Sequence, residues 1–404
     1  MSEQLFQTDW NERNSTEMKI LIINYEFPPL GGGAGIATYY LAKHLSMLGH
    51  EITVLTSAFD DLQKEEFLDG FRILRIPVAR RRLDRCSIFE MITFILSGIF
   101  YSKNIIKTYK PVKIIAFFGI PSGIISYWIK KKYSLPYIIS LRGGDVPGFF
   151  SKKLKFYHLI TKPFISRVWK NAEHVIANSN RLFKLAKYTD AKIKIEVIPN
   201  GVDTEKYKPI HREHKKESKI KILTVGRLNE QKAINNLLKA CYALNQNGLS
   251  GKFSLDILGD GPSRKMLERL TRKLCLQDLV SFTGWISKKE IAAKYNTADI
   301  FVLPSLDEGM SNALLEAMAT GLPIVASELA GDDLLVDDEN AFLIPVNNKQ
   351  LLSVALRKLI VNIDLRKKMG QKNMMVAKKY SWSKVAKDYD AICQIDSEIV
   401  KTIN

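Results

Sequence analysis

Cysteine is scarce in this chain of 404 residues: Cys86, Cys241, Cys275 and Cys393 lie far apart and form no C-x-x-C pair. That spacing excludes a cysteine-built zinc site and a disulfide framework, and it fits a reducing cytoplasm. A secretory leader is not evident either. The opening MSEQLFQTDWNERNSTE is polar, without an apolar core, and reads as a flexible tail over residues 1–17. Long apolar runs are also missing. The longest, Ile88–Tyr101, contains Glu90 and is too short to span a bilayer, so a buried helix is expected there. The only D-x-D triplet, Asp388-Tyr389-Asp390, falls on a terminal amphipathic segment, where a solvated face is expected in place of a metal site. The six histidines, His44, His50, His158, His174, His211 and His214, make no evident constellation with carboxylates.

What is abundant is positive charge. The net charge is +18, and residues 71–170 hold 20 Lys and Arg against 3 Asp and Glu. Such a patch suits an anionic partner: nucleic acid, a phosphorylated substrate or an anionic membrane surface. No recognised nucleic-acid module accompanies it, so nucleic acid is not expected. An apolar content of 46% supports a real core, and the length suits two α/β domains.

Apolar runs alternate with helical patterns along the chain. Lys19–Asn24 reads as a buried strand, Ile36–Leu48 as a helix and Glu51–Thr56 as a strand, a unit that implies a parallel pair with a right-handed crossover. Lys113–Phe118, Tyr137–Leu141, His174–Ala177 and Ile195–Ile198 continue the series. A charged stretch, Ile210–Lys219, is read as the link to a second series: Ile220–Val225, Phe253–Leu258, Leu279–Phe282, Ile300–Leu303 and Pro323–Ala326. The expected architecture is α/β, two doubly wound parallel sheets. The boundaries are 18–209 for the first domain, 210–219 for the linker, 220–384 for the second domain and 385–404 for a terminal helix. In such sheets ligands bind at the carboxyl ends of the strands, so two of them facing each other make a deep cleft.

Four loops carry chemistry. Pro28-Pro29-Leu30-Gly31-Gly32-Gly33-Ala34-Gly35 lies between a strand and a helix, where glycines admit close backbone approach and the helix amino end favours an anion. It is not a dinucleotide fingerprint: Ile36 stands where the third glycine is needed, and the next strand ends without an acid for the ribose. A structural tight turn is the competing reading. Gly226-Arg227-Leu228 with Lys232 places two cations five residues apart near a helix start, which suits a diphosphate. Gly259-Asp260-Gly261-Pro262 ends another strand and reads equally as a plain turn. In Leu303–Pro323 a helix is expected to start near Ser311 or Asn312 and to stop at Gly321, with free amides facing the cleft. Glu308 and Glu316 then flank one phosphate-binding point, one able to meet a sugar and the other a ribose.

That last segment resembles the E-x7-E element of the retaining glycosyltransferase family 4, which has the GT-B fold of two Rossmann-like domains facing a cleft. Phe27-Pro28-Pro29 with the glycine loop, Gly49-His50-Glu51, Pro199-Asn200-Gly201-Val202-Asp203 and Phe282-Thr283-Gly284-Trp285 are similar to that family as well. The resemblance runs in order from about residue 18 to 392, and it implies that the terminal helix at 385–404 crosses back and packs on the first domain.

It implies a carboxyl-terminal domain that holds a nucleotide-sugar donor and an amino-terminal domain that holds the acceptor. Arg227 and Lys232 would neutralise the leaving diphosphate, Glu308 would contact the donor sugar, and Glu316 would hold the ribose. Gly32, Gly33, Gly226, Gly259, Gly309, Met310, Ser311, Asn312 and Leu315 would complete the donor site, with Arg142 and Asp145 on the acceptor or sugar side. Arg142 stands where many members have histidine, and a guanidinium is a poor proton acceptor. Ala233 and Ala341 replace common glycines, changes expected to be cosmetic.

The expected activity is retaining transfer of a hexose or N-acetylhexosamine, from a UDP-sugar ahead of a GDP-sugar, to a hydroxyl of a glycan or lipid-linked glycan. The expected setting is a bacterial surface-polysaccharide or lipopolysaccharide pathway. No metal or cofactor is expected. The basic, aromatic stretch Phe149–Tyr157 with Arg80-Arg81-Arg82 suggests peripheral attachment to the cytoplasmic face of an anionic membrane. The alternative is a nucleotide-sugar 2-epimerase, also built from two facing α/β domains.

Overall fold

The short apolar runs become the strands of two separate sheets. A computed structural model describes residues 17–401, apart from 84, 150, 211–218 and 332–333. Most of the tail at 1–17 and of the link at 210–219 therefore lies outside the described residues.

The first half runs β1 (Lys19–Ile23), α1 (Gly33–Met47), β2 (Glu51–Ser57), β3 (Glu65–Leu68), β4 (Phe71–Ile76), α2 (Ile88–Tyr109), β5 (Lys113–Phe117), α3 (Gly123–Tyr133), β6 (Tyr137–Leu141), α4 (Ser151–Asn171), β7 (His174–Ala177), α5 (Asn180–Thr189) and β8 (Ile195–Val197). The second half runs β9 (Ile220–Val225), α6 (Ile234–Leu244), β10 (Phe253–Leu258), α7 (Arg264–Lys273), β11 (Val280–Gly284), α8 (Lys288–Thr297), β12 (Ile300–Leu303), α9 (Asn312–Ala319), β13 (Ile324–Ser327), β14 (Ala341–Ile344), α10 (Lys349–Val361), α11 (Ile363–Ala377) and α12 (Trp382–Lys401).

The first sheet is ordered β3-β4-β2-β1-β5-β6-β7-β8 and the second β11-β10-β9-β12-β13-β14. Every pairing is parallel except the β3–β4 hairpin at one edge. Register follows burial: Ile20, Leu21, Ile22 and Ile23 pair with Ile52, Thr53, Val54 and Leu55, and nearly all of these side chains are sealed from solvent. Strands covered on both faces read as unbroken apolar runs, which is why they were visible in the sequence. The fold class is the expected one. The β3–β4 hairpin was not foreseen, because its exposed charges break the apolar pattern.

Two features position the cleft. First, α12 belongs to the core of the first sheet, not the second: Trp382, Val385, Ala386, Tyr389 and Cys393 are buried there. Trp382 stacks on Tyr40 of α1 with ring centroids 5.5 Å apart, and His50, whose Nδ1 accepts from the Met18 amide, donates from Nε2 to Asp390 Oδ1 at 2.9 Å. Second, the chain crosses between halves twice at one place, where Val202 N donates to Tyr380 O at 2.7 Å.

The expectation of a buried helix at Ile88–Tyr101 is overturned. Helix α2 packs only one side, through Phe94, Gly98 and Ile105, while Ile88 (61% exposed), Phe89 (62%), Leu96 (63%) and Phe100 (78%) form an outward stripe. Glu90 does not interrupt the helix. It closes a capping box with Ser87, its Oε2 accepting from Ser87 N at 2.5 Å, and so satisfies the helix start instead of breaking an apolar face.

Candidate active site

The carboxyl ends of both sheets open on one cleft of ≈ 500 Å³, well within the size of small-molecule sites. One wall is built strand by strand from the first sheet: Glu26 after β1, Phe118 after β5, Arg142 after β6, Asn178 after β7 and Asn200 after β8. The facing wall has Gly226 and Arg227 after β9, Gly259 after β10, Trp285 after β11 and Glu308 after β12.

On the second wall, Lys232 sits at the end of a short helical turn, Glu230–Lys232, capped by the Asn229 side chain. Its Nζ meets Glu308 Oε1 at 2.5 Å, and Ser305 Oγ donates to the same oxygen at 2.7 Å. Lysine and carboxylate are thus both part-buried and pre-set at the cleft. Gly259 (φ +124°) lets the backbone of β9 close in: a Cβ there would lie 2.0 Å from the Gly226 carbonyl oxygen. Ala233, expected to be a cosmetic change, is not. It holds φ 49° and ψ 35°, a left-handed conformation that glycine adopts without steric cost.

Helix α9 starts at Asn312 with Ser311 as N-cap, and the Ser311 side chain makes no capping hydrogen bond. Gly309, Met310, Ser311 and Asn312 line the cleft there. Leu315 does not: it is fully buried in the core beneath the helix, because the side chain that follows Leu314 still lies on the apolar face. Its assignment to the donor site is corrected. Glu316, one position further, reaches the cleft, and Tyr295 OH donates to its Oε2 at 2.8 Å. Burial pushes its pKa up to about 7, with hydrogen bonds from Tyr295 and Tyr207 and the charge of Lys206 pulling the other way.

On the first wall, helix α1 begins at Gly33, and Gly32 N donates to Glu26 Oε2 at 3.2 Å. Burial raises the Glu26 pKa. Gly32 and Gly33 line the cleft, as does Arg142. Asp145 does not: it is 2% exposed, and its carboxylate accepts from the amides of Gly119, Arg142 and Gly143 at 2.8, 3.1 and 3.1 Å. It shapes the loop that carries Arg142, so its place on the sugar side is corrected. Asn200 ties the walls together, accepting from Arg142 NH1 at 2.6 Å and donating to Asn312 Oδ1 at 2.8 Å. Asn312 Nδ2 then donates to the Gly33 carbonyl at 3.1 Å.

No histidine among the described residues lines the cleft. His50 and His174 pair with Asp390 and Glu196, and His158 meets the Gly144 carbonyl; His211 and His214 lie outside the described residues. In the D-x-D triplet, Tyr389 is buried against Ser140 and Asp390 holds His50, so the two acids serve different surroundings.

Sequence reasoning gave no role to Glu26, Asn178, Asn200, Tyr207 or Trp285, all of which line the cleft. A usable signal existed for Asn178, the polar residue that directly follows the buried parallel strand β7.

Residues 31–206 match the family described as Glycosyltransferase Family 4, and residues 206–374 match Glycosyl transferases group 1. The two regions adjoin and together take in both walls of the cleft. The chain belongs to glycosyltransferase family 4. This family 4 glycosyltransferase is 26% identical over 374 residues to an uncharacterised glycosyltransferase of Methanocaldococcus jannaschii, covering 91% of this chain and 95% of that one. A sucrose-phosphate synthase from Thermosynechococcus elongatus superposes with a TM-score of 0.81 at 19% identity, covering 96% of this chain and 100% of that one. Anabaena HepE, solved in complex with UDP-glucose, superposes at 0.73 with 16% identity, covering 95% and 100%. Both structures have the GT-B fold. Nothing in these comparisons supports an epimerase.

Proposed function

We propose that this glycosyltransferase moves a hexose or N-acetylhexosamine from a UDP-sugar, ahead of a GDP-sugar, to a hydroxyl of a glycan or lipid-linked glycan with retention of configuration. The observation that carries the reading is a convergence. Arg227, Lys232 and the residues that lead into α9 line one cleft, and the buried carboxyl of Glu316 lines it as well. Cations and helix-end amides suit a diphosphate, and a carboxylate suits the paired hydroxyls of a ribose. The preference for uridine is supported by the UDP-glucose bound to the HepE neighbour.

In the proposed reaction the bond from C1 of the sugar to the diphosphate oxygen breaks. The acceptor oxygen bonds to C1 on the face the diphosphate leaves, and the acceptor proton passes to the departing phosphate oxygen. Arg227 and Lys232 stabilise the growing charge, and Glu308, set by Lys232 and Ser305, orients the sugar. Neither a metal nor a cofactor has a part in this scheme.

The acceptor is proposed to be presented at the cytoplasmic face of an anionic membrane. The apolar stripe of α2 and that of α4, where Phe156, Leu159, Ile160 and Phe164 are exposed, flank α3 on one layer. Exposed Lys103, Lys162 and Arg167 lie on the same two helices and exposed Arg81 and Arg82 in the segment before α2, a combination that suits an anionic bilayer interface. Phe150 and the side chains of residues 151–155 and 157, part of the stretch singled out in the sequence, lie outside what is described.

Isothermal titration with UDP-, GDP- and ADP-sugars tests the donor reading. A UDP-sugar is expected to bind, with affinity lost in Lys232→Ala; failure of all three would remove the assignment.

A further inference from the structure

Arg142 is a cation in search of a counter-ion. Its guanidinium lies 3.9 Å over the Phe117 ring at the floor of the cleft. NH1 donates to Asn200 Oδ1 at 2.6 Å and NH2 to Tyr389 OH at 3.4 Å, both neutral acceptors. Nε is buried and has no hydrogen-bond partner. Among the described residues no carboxylate pairs with it. Asp145 is the nearest acid in influence, yet its oxygens are taken by the amides of Gly119, Arg142 and Gly143. A buried charge is costly unless paired, and neutral acceptors would be served as well by a neutral donor. Burial accordingly lowers the Arg142 pKa.

The neighbouring strand end has a second orphan. Asn178 is 3% exposed and lines the same cleft, and its Oδ1 has no partner. That oxygen faces the opposite wall, 3.1 Å from where a Cβ on Gly309 would stand. Arg227 and Lys232, the cations assigned to the diphosphate, line the other wall. A separate anion is therefore needed to match Arg142.

We propose that Arg142 and Asn178 form a subsite for a sugar that carries an anionic group, a carboxylate or a phosphate ester, together with a free hydroxyl. The anion meets Arg142 and the hydroxyl donates to Asn178 Oδ1. This rests on the reading of the cleft as a glycosyl-transfer site. The acidic sugar enters either as the donor's sugar or as the acceptor's.

Calorimetry on the full chain separates the two sources. The donor arm compares UDP-glucuronate with UDP-glucose, and GDP-mannuronate with GDP-mannose. The acceptor arm compares methyl glucuronide and glucose 6-phosphate with methyl glucoside, with and without UDP. In at least one arm the acidic ligand is expected to bind more tightly than its neutral counterpart, with Arg142→Gln losing that preference by roughly thirtyfold or more. Arg142→Lys, which keeps the charge and loses the fork, is expected to retain part of it, and the affinity for bare UDP should not change in either variant. Equal binding of acidic and neutral ligands in both arms overturns the proposal, as does a preference that survives Arg142→Gln. Bare UDP and GDP report on the wider donor reading, while the glycoside arm without nucleotide reports on the subsite alone.

Discussion

Glu316 is where burial and chemistry pull hardest against each other. With its pKa raised from 4.5 to about 7 by desolvation, the folded protein keeps a proton that the unfolded chain has released between those values. Stability should therefore fall as pH rises across that window and level off above it. Donor binding should run the opposite way. The ionised carboxylate is the better acceptor for ribose hydroxyls, so UDP affinity should strengthen as pH passes through about 7. Glu316→Gln is expected to flatten both curves, measured by denaturant titration and calorimetry from pH 5 to 9; parallel curves for variant and parent would refute the assignment. For Lys232→Ala the loss of donor affinity should be joined by a drop of about 10²–10³ in turnover at saturating donor, with circular dichroism showing the fold retained. Ala233 offers a stability check. Replacing it by glycine relieves the left-handed conformation and should raise stability by up to about 1 kcal/mol, read as a shift in urea midpoint. These residues differ in how well the sequence announced them. Lys232 and Glu316 stood out by spacing. Leu315 was misassigned because adjacency to Glu316 says nothing of the 100° turn between successive helix positions, and Asp145 because a conspicuous acid can serve backbone amides alone.

The elements were legible where burial on both faces leaves an unbroken apolar run, as in β1, β5, β6 and β12. Legibility failed where a helix buries only one side. Helix α2 is apolar all round, so composition could not say which face packs; Gly98, set against Ile125, marks the inner one. The terminal helix α12 is the element whose removal should matter most to the first half. Trp382 is buried and stacked on Tyr40, and a Cβ on Gly201 would lie 2.7 Å from the Trp382 backbone. Trp382→Ala should cost about 3–5 kcal/mol, seen as a lowered guanidinium midpoint. Loss of under about 1 kcal/mol would mean that the stack carries no weight.

For the whole molecule, charge and apolar surface coincide on one layer. Binding to vesicles of anionic lipid is therefore expected at low ionic strength, weakening with salt and absent on zwitterionic lipid. Phe100→Ser with Leu96→Ser should reduce sedimentation with vesicles and leave UDP affinity intact. An unchanged pellet fraction would move the contact elsewhere. Turnover in EDTA should match that without chelator, since the scheme assigns the diphosphate's charge to side chains and helix amides.

The paired crossing at Val202 and Tyr380 has a mechanical corollary. Two covalent tethers laid side by side and hydrogen-bonded to each other behave like the spine of a book: the halves can swing apart about that line, but twisting one against the other would shear the spine. Opening to admit a substrate and shutting upon it would then be the same rotation run in opposite senses, and the Asn312–Gly33 contact, which sits beside the spine because Asn312 also accepts from Asn200, would be among the least displaced.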